Sequence, residues 1–230
     1  MKRKMTLYAL CIMSVATLLM SGCKKDNTTT PTPTPATITD INGNLYHTVT
    51  IGTQVWLKEN LKVTKYRNGE SIIKVNDITW GNLTTGAYCY IDNDTNKLKI
   101  YGCLYNWFAV MDSRKICPTG WHIPTLAEVN TLKKYLGNNA GGKLKETGLT
   151  HWVNINIDAT NETGFTALPG GRRDADSYFA FSEYAYWWTS SEYVLDNTKA
   201  TYFSVWYFVG NLDIISMDKK TGMSIRCIKD

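Results

Sequence analysis

Ile116-Cys117-Pro118-Thr119-Gly120-Trp121-His122-Ile123-Pro124-Thr125 gathers a cysteine, two prolines, a turn glycine and a tryptophan directly before a helix start. Pro118 and Pro124 fix φ and disfavour helix in the residue before each, so the stretch between them is a rigid, extended entry that aims Trp121 and Ile123 inward. Thr125 and Glu128 have the spacing of a capping box, in which each side chain satisfies a backbone N–H left open at the helix start. Leu126, Val129, Leu132 and Leu136 recur at helical spacing, and Gly137 supplies the stop. One face of that helix belongs to a core, and the entry before it is scaffold rather than chemistry.

Upstream, Asn42-Gly43 between Ile41 and the alternating run Leu45–Ile51 predicts a two-residue type I′ hairpin, and Gly52-Thr53 a second turn into Gln54–Leu57. Ala87–Ile91 and Lys99–Tyr101 read as strands flanking the polar tip 92–96. That tip also carries the alternating oxygens of a calcium loop, but Lys97 and Cys103 stand where such a loop needs its glycine and its glutamate. Leu104–Met111 is apolar nearly all round and reads as a short buried helix. Downstream, Gly141-Gly142-Lys143 lacks the spacing of a phosphate loop. The segment 164–173 is irregular and ends in Arg172-Arg173. Strands follow at 186–192, 202–209, 212–216 and 223–228. Two helices, many strands and long loops make an α+β domain, with Trp56, Trp107 and Trp121 expected in its core.

The chain opens on an address. Residues 1–22 carry Lys2, Arg3 and Lys4, then an apolar run to Met20 and small residues before Cys23, the layout of an export signal. Leu19-Met20-Ser21-Gly22-Cys23 resembles the lipobox of bacterial lipoproteins, which implies that Cys23 is lipidated and becomes the new N-terminus. Residues 23–37 then form a Thr/Pro-rich tether, whose polyproline II preference would let it span on the order of 40 Å. Residues 38–230, about 190 in number, suit one domain with a single core. Loss of Lys2, Arg3 and Lys4 takes the formal charge from +5 to +2, and no long basic run remains to bind nucleic acid. Without Cys11 and Cys23, four cysteines are left in an exported chain, Cys89, Cys103, Cys117 and Cys227, with three possible disulfide pairings. No cysteine or histidine spacing indicates a metal, and no cofactor motif is present.

Taken together, Gln54-Val55-Trp56-Leu57-Lys58-Glu59-Asn60-Leu61, Tyr105-Asn106-Trp107, Cys117–Thr125, Gly141–Glu146, Gly164-Phe165 to Gly171, Trp187-Trp188-Thr189-Ser190-Ser191-Glu192 and Ser224-Ile225-Arg226-Cys227 resemble the Fibrobacter succinogenes major paralogous domain, common in cell-surface lipoproteins and largely of unknown function. The Trp-x-x-Pro-Thr before a helix and the terminal Arg-Cys also resemble the C-type-lectin-like fold, shared with formylglycine-generating enzymes. That second resemblance implies a long-range disulfide between Cys117 and Cys227, and would leave Cys89 and Cys103 as a local pair across the hairpin at 92–96.

The resemblance implies a non-catalytic binding or adhesion module for a polysaccharide or surface protein, held to the outer membrane by its lipid and facing outward. An enzyme is the alternative, although the copper-binding cysteine pair of the formylglycine-generating enzymes is missing, and so is a structural surface coat. The expected ligand surface is 164–178 with 184–193. Gly170 and Gly171 would allow close backbone approach, Arg172 and Arg173 would take carboxylate or sulfate groups, and one of Trp187 and Trp188 would offer a stacking face. Neighbours in a strand point to opposite sides, so at most one of that pair is presented.

Overall fold

The computed structural model describes residues 37–153 and 155–230. The export signal, Cys23 and the tether up to residue 36 lie outside the described residues.

β1 (Thr37–Thr39), β2 (Leu45–Ile51) and β3 (Gln54–Leu57) form the expected opening meander. Ile51 stands opposite Gln54, so Gly52-Thr53 is the tight turn the pattern predicts. The first connection differs. Thr39 pairs with Leu45, which makes residues 40–44 the loop, and of Asn42 and Gly43 only Gly43 has positive φ. Asp40 shapes this loop by accepting from the backbone N–H of Asn42 (2.8 Å) and Asn44 (3.0 Å) and from the Tyr46 hydroxyl (2.7 Å).

β4 (Ile73–Lys74) and β5 (Ala87–Cys89) follow. Lys99–Tyr101 is not a strand but the end of α1 (Thr95–Tyr101). Asp94 accepts from the Asn96 N–H at 2.8 Å, so the polar run at 92–96 caps a helix instead of turning a hairpin. The helix expected over 104–111 is split into β6 (Leu104–Tyr105) and α2 (Trp107–Val110). Asn106 stands between them, and its Oδ1 accepts from the N–H of Ala87 (2.9 Å) and Ala109 (3.1 Å).

β7 (Trp121–His122) leads into α3 (Leu126–Leu136), and both halves of the capping box form. Thr125 Oγ1 accepts from the Glu128 N–H at 3.2 Å, and Glu128 Oε2 from the Thr125 N–H at 2.8 Å. Val129, Leu132 and Leu136 are buried, and Gly137 ends the helix at φ 64°. Gly141-Gly142-Lys143 belongs to α4 (Ala140–Leu144), so the described residues hold four α-helices where the sequence predicts two. The chain ends with β8 (Arg172–Arg173), β9 (Tyr178–Phe179), β10 (Tyr184–Glu192), β11 (Lys199–Trp206), β12 (Asp213–Asp218) and β13 (Ile228–Lys229).

These strands make a mixed α+β fold of several short sheets. A five-stranded antiparallel sheet runs β1-β2-β3-β13-β7, so the last strand enters between the opening meander and the entry to α3. A three-stranded antiparallel sheet, β10-β11-β12, carries the longest strands, and β4-β5-β6 and β8-β9 are smaller. The register of β10 on β11 shifts between Trp188 and Glu192, where the Ser190 N–H bonds to the Pro124 carbonyl at 2.9 Å. That bulge lets one strand serve two neighbours.

Cys117 and Cys227 are bonded, with Cα atoms 6.1 Å apart across 110 residues of sequence. Cys89 and Cys103 are not a pair: both are free and buried. Cys89 stands opposite Leu104 in the β5–β6 ladder, so Cys103, the next residue back, points to the other face. Cys89 accordingly sits with Trp80, Ile91 and Leu104, and Cys103 with Tyr88, Tyr105 and Trp188.

Candidate functional site

Several residues that carry the family resemblance build an interior polar lattice. Asn60 Oδ1 accepts from Trp187 Nε1 (2.8 Å) and from Arg226 Nε (3.1 Å) and Nη2 (2.8 Å), while Asn60 Nδ2 donates to the Tyr101 carbonyl at 2.8 Å. Trp188 Nε1 donates to the Tyr105 carbonyl and Trp107 Nε1 to the Thr189 carbonyl, both at 2.9 Å. Each bond satisfies a group that would be costly to bury alone. Trp56, Trp107 and Trp121 are in the core as expected.

This lattice corrects the expected ligand surface. Trp187 and Trp188 do point to opposite faces of β10, but both faces are covered there and neither ring is exposed. Trp187 stacks on Phe203 at 5.0 Å, and Trp188 meets Tyr202 edge-on at 6.3 Å. Arg173 is also buried, donating from Nη2 to the Asp77 carbonyl (2.6 Å) and from Nη1 to the Tyr178 hydroxyl (3.0 Å) beside Trp80. Gly171 does permit a close backbone approach, but the partner is internal. A Cβ there would lie 2.5 Å from the Phe179 carbonyl oxygen, and φ is +64°. Only Arg172 of the four expected ligand residues lies at the surface.

Arg172 belongs to a row of rings that the sequence does not single out. Its guanidinium carbon lies 4.3 Å from the Phe179 ring and 5.4 Å from that of Tyr186. Tyr186 stacks on Tyr184 (5.4 Å), Tyr184 on Trp206 (5.2 Å), and Trp206 meets Phe208 edge-on at 4.8 Å. Pairing of Tyr184 with Trp206 and of Tyr186 with Ser204 puts these rings on the outer face of β10-β11-β12, while Trp187, Phe203 and Val205 fill the inner face. The row is open at its ends, with Phe179 49% and Phe208 38% exposed, and Tyr184 and Trp206 are half-buried. All eight tryptophans lie in the described residues, and Trp206 alone is not buried. Ile215, 51% exposed, continues the face on β12.

Electrostatics set the character of the row. Burial opposes the charge on Arg172, but Asp174 outweighs it and raises the pKa; the Arg172 Nε–Asp174 Oδ1 bond is 2.9 Å. Burial likewise pushes the Tyr186 phenol up, so it remains a neutral donor and acceptor. Trp206 Nε1 donates to Asp213 Oδ2 at 2.6 Å. Besides paired Arg172 and buried Arg173, segments 172–186 and 204–213 carry only carboxylates: Asp174, Asp176, Glu183 and Asp213. Among the described residues of these two segments no free cation is left for an anionic ligand.

A concavity of about 300 Å³ adjoins the disulfide, with Met111, Lys115, Trp121 and His122 among its walls. Arg67 fixes that wall by donating to the carbonyls of Cys117, Pro118 and Trp121. His122 sits between Asp230 (2.7 Å) and Glu128 (2.9 Å); burial lowers its pKa, but the two carboxylates outweigh that and raise it. Glu146, Glu162 and Glu192 do not form an acid–base pair with one another: Glu146 bonds His151, Glu162 lies by Lys143 and Glu192 by Lys219.

Fold and site together define an α+β domain with a polar-locked core and one aromatic outer face. The model of the Fibrobacter succinogenes major domain matches residues 49–229, and the chain belongs to that family. No curated protein and no solved structure is significantly similar to it. Among the described residues no helix is long and apolar enough to cross a membrane.

Proposed function

We propose that the chain is a lipid-anchored cell-surface binding module, non-catalytic, that takes a neutral glycan on the row from Phe179 through Arg172, Tyr186, Tyr184 and Trp206 to Phe208. Membership of a family suggestive of surface proteins supports the location, and the lipobox-like Cys23 with its tether supports outer-membrane anchoring. The C-type-lectin-like fold is part of the proposal. Its support is the bridge from the α3 entry to the segment before the last strand, together with the pairing of that strand beside the entry.

The observation that carries the reading is Trp206: the one tryptophan not buried lies within a row of rings edged by paired polar groups. Apolar faces of sugar rings stack on aromatic side chains, and hydroxyls at the edges find donors and acceptors in Tyr184, Arg172 and Asp213. With carboxylates in excess, the ligand is a neutral polysaccharide and not the uronic or sulfated one that Arg172-Arg173 suggests in sequence. Affinity electrophoresis of the full chain in gels containing neutral or uronate-rich polysaccharides tests this. Retardation by a neutral polymer is expected. Retardation only by acidic polymers, or by no polysaccharide at all, contradicts it.

A further inference from the structure

Arg226 is 1% exposed and hydrogen-bonds to no carboxylate. Its three hydrogen bonds go to neutral acceptors, two to Asn60 Oδ1 and one from Nη1 to the Phe165 carbonyl at 2.5 Å. The rings of Phe165 and Trp187 lie 4.1 and 5.5 Å from its guanidinium carbon. A guanidinium carries five N–H donors, so some remain uncommitted. A buried cation without a counter-charge is costly, and here burial pushes the pKa down, opposed only by the charge of Glu59.

Against Arg226 lies a small cavity of about 80 Å³, lined also by Lys58, Glu59, Asn60, Ile100, Thr166 and Leu168. This exceeds the space that a single water needs. Glu59 is already committed to His47, with Oε2 accepting from the His47 N–H and Oε1 lying against Nδ1, both at 2.8 Å. Thr166 Oγ1 is held by Asn161 and Gly164. Lys58 and Arg226 therefore leave the cavity with two cations against one engaged carboxylate. We propose that it binds a monovalent anion of halide size, held by N–H groups of Arg226 and the ammonium of Lys58. The site is separate from the aromatic row and does not depend on the glycan reading.

Bromide tests it by anomalous scattering and by mass action. Crystals of the chain soaked in sodium bromide are expected to show an anomalous peak within hydrogen-bond distance of Arg226. In solution, replacing gluconate by bromide at fixed ionic strength should raise the melting temperature along a saturating curve. Lys58→Glu, a change at the cavity mouth, should weaken that response at least tenfold, whereas Arg226 variants risk unfolding and are not needed. Water alone beside Arg226, bromide only at surface lysines, a melting temperature indifferent to the anion, or a crystal peak with no saturable response in solution overturns the proposal.

Discussion

Asn60 ties three parts of the core together, because one amide receives Trp187 and Arg226 and gives to Tyr101. Truncation to Ala would strand a buried indole N–H and a buried guanidinium together. Urea unfolding of Asn60→Ala should show a loss of about 3–5 kcal/mol, the range for removing one partner of a buried charged group. A loss below about 1 kcal/mol would mean that the lattice rearranges. His122 gives a pH signature. Its folded pKa is raised above the ordinary 6.5, so its contribution is fully present below that value and fades as pH rises through the folded pKa. Glu128 is shifted down, despite burial, by Thr125 and His122, so its contribution is present above about its ordinary 4.5 and is lost as pH falls through the folded pKa. The melting temperature of wild type minus that of His122→Ala should therefore be greatest near pH 5–6 and shrink toward pH 8; a flat difference contradicts the pairing. At this scale the sequence was a poor guide to exposure. Alternation sorts Arg172 from Arg173 and Trp187 from Trp188, but only the tertiary cover over β10 decides that both tryptophans are interior.

Elements whose signals are local are readable directly. Thr125, Glu128 and Gly137 fix α3 from backbone hydrogen-bond needs alone, and the structure forms both halves of the box. Thr125→Ala should cost about 1 kcal/mol in chemical unfolding, with the helix otherwise intact. Elements set by competing side chains are less legible. Asp94 turns an apparent hairpin tip into the start of α1, and Asp40 opens the first turn beyond two residues, because short carboxylates that bond nearby N–H groups favour caps and Asx turns over the strand alternative. The aromatic row is hidden for a related reason: Tyr184 lies on β10 and Trp206 on β11, with Phe208 in the turn beyond, and only the β10–β11 register brings the first two side by side.

The described domain is closed by its last strand. β13 sits between β3 and β7, and the Cys117–Cys227 bridge ties that return to the α3 entry. Replacing both cysteines by serine should lower stability by about 2–5 kcal/mol. Cys89 and Cys103 should react with a thiol reagent only on unfolding, since burial pushes their thiols up to about 11 and about 12. The resemblance supplied the bridge, and the residues alone left three pairings open. The central claim, that this scaffold presents one aromatic face to a neutral glycan, is tested most directly by following the indole N–H signals by NMR during titration with a neutral oligosaccharide that the chain binds. The Trp206 signal, assigned by its loss in Trp206→Phe, should move while those of Trp187 and Trp188 stay fixed. Binding that leaves Trp206 unmoved, or that shifts the two buried tryptophans instead, contradicts the account.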